Sequence, residues 1–406
     1  MPFWLFLVFF KFAGALHYTL LSPFGESLLP LWIVGLLIGG ESLIQATLDL
    51  PAGWLLDRLG YRRMLMASTI AFIATSACFV FGLTLGTYIL TIFFSIFGWL
   101  FFVPGMNAYL LSHANENESA RFFSIKDVSN AVGVVCASMA LPFVLLFSPQ
   151  AAGAVLIALQ AAALVFLIMS PKDKAVPPHH ERTVAQRRHL KRHSLRALWR
   201  TMKKLNPAGG MLALLTLAAA MFYAMIWFIV PLVIAAQQEN AGMLSFGLAV
   251  FDFSIVVLGY LLGTWATKKN RRTFVFFGLL LFSICGMALG FNFGLLFIIF
   301  GFLTTTGDEM ANIALWSWLH HLDHDHDQDG AISAVITFAD DIGYALGPVL
   351  AGILYTAVGP GLAISLGALP IFILWILYYI LVHKHFPFED ILDLAPARLI
   401  KWRHKS

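Results

Sequence analysis

The chain alternates long apolar runs with short polar connections, and its basic residues fall in only every second connection. This alternation constrains the fold more than any other feature. The 406 residues are 59% hydrophobic and only 12% charged, with a mean hydropathy of +0.81. A helix of roughly 20 apolar residues crosses a bilayer, and hydrocarbon admits only helices or closed barrels because every backbone amide must be bonded internally. The sequence therefore predicts an all-α polytopic membrane protein.

Twelve spans are read from the apolar runs, at about 2–22, 29–56, 63–84, 87–111, 122–147, 151–170, 209–236, 242–266, 273–291, 293–319, 331–357 and 360–383. Every Lys and Arg except Lys11 lies in the connections 2–3, 4–5, 6–7 and 8–9, in the C-terminal tail, or in the helix turns beside them. The connections on the other side, near Ser22–Ser27, Gly86, Pro149, Gln237–Ala241 and Gly359–Gly361, hold none. By the positive-inside rule both termini are cytoplasmic. The expected location is a bacterial inner (plasma) membrane. The first run has no small-residue cleavage pattern and reads as a span, not a signal peptide. Cys78, Cys136 and Cys285 all fall in apolar segments, which gives no disulfide framework.

A polar stretch divides the chain. The expected units are an N-terminal six-helix bundle (1–170), a cytoplasmic basic linker (171–208), a C-terminal six-helix bundle (209–383) and a cytoplasmic tail (384–406). Within the linker, Val184–Leu205 reads either as an interfacial helix on anionic lipid or as a solvated basic tether. The halves echo each other. Gly53 is followed by Asp57-Arg58 and Arg62-Arg63, and Gly263 by Thr267-Lys268 and Arg271-Arg272. Two related halves are a common transporter plan.

The connection Gly53-Trp-Leu-Leu-Asp-Arg-Leu-Gly-Tyr-Arg-Arg63 carries a specific pattern. Gly53, Asp57, Arg58, Gly60, Arg62 and Arg63 match each fixed position of the loop 2–3 motif of the major facilitator superfamily, which the chain resembles over essentially its whole length. The resemblance implies two pseudo-symmetric six-helix bundles. It also implies that this turn latches the outward-open state against the start of helix 11, with Asp49 one turn earlier in the same network. Asp57 suits the amide-rich start of a neighbouring helix, and Gly60 suits a tight turn. The pattern departs from the family's proton-linked drug antiporters. Leu90–Gly98 in helix 4 contains no Arg, and Gly133–Ser138 in helix 5 has no Gly-Pro pair. A related string, Gly343, Gly347 and Pro348, lies in helix 11 and suits close packing and a kink. The direction of transport stays open.

Ionisable groups inside spans are costly, so each is a candidate for function. They are Lys11 and His17 in helix 1, Glu41 in helix 2, Asp252 in helix 8, Asp308 and Glu309 in helix 10, and Asp340 and Asp341 in helix 11. So many acids against one lysine and one histidine cannot all be ionised in a low dielectric, and some must hold protons near neutrality. One of Asp308/Glu309 and one of Asp340/Asp341 are the expected proton carriers. Lys11 reads as a counter-ion or as an anchor for an anionic substrate group. Further pathway candidates are Asn107, Tyr223, Trp227 and Asn312; Asn312 stands three residues beyond Glu309, on about the same helical face.

The string His320–Gly330 imitates a metal site. Its calcium-loop start fails at the twelfth position, Ile336, where a bidentate Glu belongs. No metal and no cofactor are expected. The expected function is secondary active transport of a small molecule by alternating access, coupled to protons. An uncoupled facilitator is the alternative within transport, and a polytopic receptor or enzyme the alternative outside it. No nucleophile motif, phosphate loop or closed metal-ligand set is read in the sequence, which speaks against an enzyme, and no sensory domain is expected, which speaks against a receptor. Expected partners are the substrate, protons, and lipid with anionic headgroups at the basic loops. The protein is expected to act as a monomer and to bind no nucleic acid.

Overall fold

In the computed structural model, residues 2–113, 119–170, 207–237, 241–265, 271–291, 293–322 and 329–383 are described. All the regular structure among them is helical. The helices are α1 (Pro2–Glu26), α2 (Leu31–Leu59), α3 (Tyr61–Val80), α4 (Leu85–His113), α5 (Ser119–Leu145), α6 (Pro149–Met169), α7 (Pro207–Ala236), α8 (Ala241–Trp265), α9 (Arg271–Leu289), α10 (Leu295–Leu322), α11 (Asp329–Val358), α12 (Pro360–Gly367) and α13 (Leu369–His383). The linker 171–206 and the tail 384–406 lie outside the described residues, as does the centre of the His- and Asp-rich connection.

Two boundaries differ informatively from the sequence reading. The charged connection after the second span is hardly a loop. Asp57 and Arg58 lie in the last turn of α2, and Arg62 and Arg63 in the first turn of α3. Gly60 alone reverses the chain. Its φ of 79° is a backbone region that side chains with a Cβ rarely enter. The twelfth span is broken at Ala368 into α12 and α13. Pro370 follows directly; it has no N–H to continue the helical ladder, and its ring crowds the preceding turn.

Ten segments among the described residues are long and apolar enough to cross a membrane, with α12 and α13 together forming the last of them. Their outer faces carry large apolar side chains such as Ile70, Phe143, Val165 and Ile284. Exposed in water, such a surface would drive aggregation; against lipid it is matched. The helix α10 is not among the ten. Thr304–Thr306, Gly307, Asp308 and Glu309 place a polar run in its middle.

Helix neighbours repeat with an offset of six, giving two pseudo-symmetric six-span bundles. The pairs α1/α5, α3/α4 and α2/α4 recur as α7/α11, α9/α10 and α8/α10. The contacts of α6 with α1 and α3 recur as those of α12 and α13 with α7 and α9. The halves meet chiefly through α2/α11 and α5/α8, two contacts that the same offset exchanges, and also along α1/α7.

The closest approaches between the halves cluster at the end away from the basic turns. A Cβ on Gly35 or Gly39 would overlap the carbonyl oxygens of Pro348 and Ala345, and one on Gly352 would overlap that of Leu31. At the same end Ser22 Oγ of α1 donates to the Phe228 carbonyl of α7 at 2.8 Å. On its other side α11 lies equally close to α7. A Cβ on Gly343 would stand 2.6 Å from Ala220 Cβ, and one on Gly347 2.6 Å from the Met221 carbonyl oxygen. Small residues let α11 sit against two helices at backbone distance.

Neighbouring glycines provide a test of this seam. A Cβ at Gly40 would meet nothing within 4 Å. Gly40→Ala should be neutral or stabilise the helix by ~0.5–1 kcal/mol. Gly39→Ala must push α2 from α11 and should cost about 1–3 kcal/mol, read as a lower melting temperature in detergent. Equal melting of the two variants would contradict the backbone seam.

Candidate functional site

The polar interior groups gather in two places. In the C-terminal half, Tyr223 of α7 donates its hydroxyl to Asp308 Oδ2 of α10 at 2.9 Å. Asp308 is buried, and its Oδ1 has no partner among the described residues. Glu309 and Asp340 of α11 both lie within electrostatic reach of Asp308. Asn312, one turn further along α10, presents a buried Oδ1 that is likewise unpartnered among the described residues. Three acids and a tyrosine from α7, α10 and α11 thus share one region near the middle of their helices.

Packing fixes this group. The Tyr223 ring lies nearly parallel to Phe282 of α9 (centroids 5.9 Å apart, 20°) and edge-on to Phe251 of α8 (6.2 Å, 87°). Just before Asp308, Gly307 faces Gly278 of α9, where a Cβ on either glycine would stand 2.7 Å from the other's carbonyl oxygen. These contacts hold α10 tightly against α9, with Asp308 turned to α7 and Glu309 left half-buried. Of this adjacent pair, Asp308 is the member that accepts the Tyr223 hydroxyl.

In the N-terminal half, Glu41 of α2 is only 4% exposed. Its Oε1 accepts from Ser95 Oγ of α4 at 2.6 Å and from Gln45 Nε2 one turn along α2 at 3.1 Å. Its Oε2 and the buried hydroxyl of Tyr18 have no partner among the described residues. Sequence reasoning missed Tyr18, Ser95 and Gln45. The i, i+4 spacing of Glu41 and Gln45 was a usable signal; nothing local pointed to Tyr18 or Ser95.

Lys11 rests against an aromatic surface. Its Nζ lies over the Trp99 ring at 4.6 Å and near Phe102 at 5.2 Å, both on α4. A cation over an aromatic face is stabilised by about 0.5–2 kcal/mol, more where water is excluded. Phe10, stacked on Phe102 at 4.0 Å, completes an aromatic wall that the sequence reading did not single out. His17 packs between Phe72 and Phe79 of α3 with both ring nitrogens unpartnered among the described residues, so the structure brings it to neither acid group. Asn107 and Trp227 are half-buried on α4 and α7, and Asp341 is half-buried on α11. The side chain of Asp252 lies outside the described set.

Of the charged turn, Arg62 Nη2 donates to the Ile168 carbonyl at the end of α6 at 2.6 Å, while Arg58 and Arg63 are exposed. The side chains of Asp49, Asp57 and residues 331–334 lie outside the described set, as does any pairing of this turn with the start of α11. No group of three or more His, Cys, Asp or Glu able to hold a metal ion occurs among the described residues.

Two six-span bundles packed through α2/α11 and α5/α8, with ionisable groups held near the middle of their helices, fit the class of helical membrane transporters. The comparisons carry this to a family. A family model of the Major Facilitator Superfamily matches residues 3–339, and again residues 212–404. The chain belongs to the Major Facilitator Superfamily. Among solved structures it resembles the nucleoside transporter NupG (a point mutant) at TM-score 0.75 and 12% identity, over 93% of this chain and 98% of that one. It resembles a POT family transporter in complex with a thioalcohol-conjugated peptide at TM-score 0.70 and 12% identity, over 94% and 95%. A POT family transporter in complex with 5-aminolevulinic acid matches at TM-score 0.66 and 11% identity, over 94% and 95%. No curated protein sequence matches the chain. At such identities the structural likeness speaks for the fold alone.

The Tyr223–Asp308 contact can be measured directly. Tyr223→Phe leaves a buried carboxyl without its donor and should cost about 1–3 kcal/mol. Combined with Asp308→Asn in a double-mutant cycle, the pair should show a coupling of about 0.5–3 kcal/mol in detergent melting. Additive effects would mean that the bond does not form.

Proposed function

We propose that the chain is a secondary active transporter that moves a small molecule by alternating access, driven by protons through the Asp308 group. The observation that carries this reading is the contact of Tyr223 with the buried Asp308, with Glu309 and Asp340 in electrostatic reach. Three neighbouring carboxylates in a low dielectric repel one another and lose hydration, so protons must occupy some of them. Such protons can be released when water reaches the group from one side and reloaded from the other. Asp308 is the primary carrier, and Asp340, on the helix that joins the halves, is the second. Tyr223 orients the Asp308 carboxyl and stabilises its ionised form by donating to it.

The two bundles supply the motion. Rocking about α2/α11 and α5/α8 would expose a mid-membrane site to each side in turn. In this reading the basic turns are cytoplasmic, the glycine seam lies at the outer end, and the outer end is the closed one. The Gly53–Arg63 turn would then act as the opposing cytoplasmic latch. The acids of the C-terminal half favour cationic or amphiphilic substrates, or neutral metabolites moved with a proton. Small polar organic molecules are also what the names of the structural neighbours describe for those proteins. The protein would act as a monomer in the bilayer, with anionic lipid at its basic turns.

Uptake of a substrate panel into proteoliposomes, with and without an inward proton gradient, tests the reading. Gradient-driven accumulation is expected. Asp308→Asn, and separately Asp340→Asn, should abolish accumulation while sparing exchange of labelled for unlabelled substrate. Equal flux with and without the gradient would replace this reading with the uncoupled facilitator.

A further inference from the structure

We propose that the N-terminal half carries a second proton site, formed by Glu41 with Tyr18, and that its occupancy controls the seam between α2 and α11. The proposal rests on the transporter reading above, though not on Asp308 being the carrier.

Glu41 offers one committed oxygen and one open one. Ser95 and Gln45 both donate to Oε1, while Oε2 is buried and unpartnered among the described residues. Tyr18, on the adjacent α1, has its buried hydroxyl unpartnered as well and lies within electrostatic reach of Glu41. Leaving two polar groups unsatisfied in a buried interior carries a desolvation penalty, so such groups are seldom kept for structure alone. A proton on Oε2 neutralises the carboxyl and turns that oxygen into a donor, for which the tyrosine oxygen is an acceptor. The step needs only a proton taken from water; no other bond changes.

The symmetry of the fold supplies an independent observation. Tyr18 stands sixteen residues beyond Pro2 at the start of α1, and Tyr223 sixteen beyond Pro207 at the start of α7. Ser95 stands ten beyond Leu85 of α4, and Thr305 ten beyond Leu295 of α10. Ser95 bridges α4 to α2 through Glu41, while Thr305 bridges α10 to α8 through Ser254. The two halves therefore repeat a tyrosine near an acid: Tyr223 is hydrogen-bonded to its acid on α10, and Tyr18 lies within electrostatic reach of its acid on α2.

Position ties Glu41 to the seam. It lies two residues beyond Gly39, whose backbone touches α11. Around it stand Tyr18 of α1, Tyr88 and Ser95 of α4 and Gln45 of its own helix. Tyr88 is engaged with the Leu21 carbonyl at 3.0 Å. On α11 the titratable groups nearest this level are Asp341 and Tyr344, one turn or less from Ala345. Beyond Arg63 the titratable group of α3 is Cys78 in its last turn, and His17 of α1 faces the α3 phenylalanines. Among the described residues its hydrogen-bond partners, Ser95 and Gln45, are both neutral donors, so an ionised Glu41 would hold its charge in a closed interior on neutral donors alone. Ionisation must favour the state in which water reaches it from the outer end, and protonation the sealed state.

The test reads the seam directly. Ser22, 1% exposed and bonded across to α7, is replaced by Cys in a background lacking Cys78, Cys136 and Cys285. Maleimide labelling is followed against pH in detergent, with free-thiol reactivity in unfolded protein as the correction for thiolate content. Corrected labelling should rise with pH, by up to about tenfold per unit for a single linked proton. Glu41→Gln should label slowly at every pH, Tyr18→Phe should shift the midpoint, and Asp308→Asn should keep the response. A normal pH response in Glu41→Gln, or none in the parent, overturns the proposal. If Glu41→Gln fails to fold, an infrared titration decides: a protonated-carboxyl band that Tyr18→Phe leaves unmoved is the overturning result. Continued gradient-driven accumulation by Asp308→Asn would instead sink the assignment of Asp308 and leave this test intact.

Discussion

The cost of an unsatisfied polar group in hydrocarbon governs this molecule at every level. It forces the backbone into helices, because only there does each amide find a partner within its own span. It confines all but one of the lysines and arginines to the basic ends. It also gives meaning to the exceptions. A carboxyl such as Asp308 or Glu41 is kept inside against a penalty of several kcal/mol, and the two sites share one construction. Each has a single oxygen engaged by hydroxyl or amide donors and a second oxygen without a partner among the described residues.

Within that constraint α11 organises the tertiary structure. Gly343 and Gly347 bring it to backbone distance from α7, and Gly35, Gly39 and Gly352 bring α2 to backbone distance from α11. With no hydrophobic drive between helices in lipid, such close approach is what van der Waals packing has to work with. It also makes the contact discrete. Backbones in direct contact cannot slide gradually apart as long side chains can, so the seam is either made or broken. This property suits a two-state gate, and Asp340 lies on the same helix.

Much of the architecture was legible in the sequence, because the signals that specify it are local. Apolar run length, basic asymmetry and the Gly53–Arg63 motif each declare themselves within a few dozen residues. The expected spans agree with the helices to within about four residues, apart from the break at Ala368, where Pro370 was the overlooked local cause. The sites were legible only as a list of costly residues. That Asp308 pairs with Tyr223, 85 positions away, or Glu41 with Ser95, 54 away, follows from which helices become neighbours, and no short window contains it. Lys11 shows the limit most clearly. Its cost in the membrane was evident, but the aromatic wall of Trp99, Phe102 and Phe10 that receives it was hidden among ordinary apolar residues.

The imperfect symmetry of the acids has a mechanical consequence. Were both halves to place their acid on equivalent helices, protonation would act on both bundles in the same way. Here the tyrosine position is repeated, but its acid lies on α10, within the C-terminal bundle, and on α2, at the boundary between bundles. A proton at Asp308 changes charge beside the interior faces of α7 and α10. A proton at Glu41 changes charge on a helix whose other face is the seam itself. The first position is suited to sensing what occupies the centre, and the second to setting which end is closed. In the proposed transporter, a pseudo-symmetric scaffold with asymmetric acids would thus divide the two tasks that alternating access has to link.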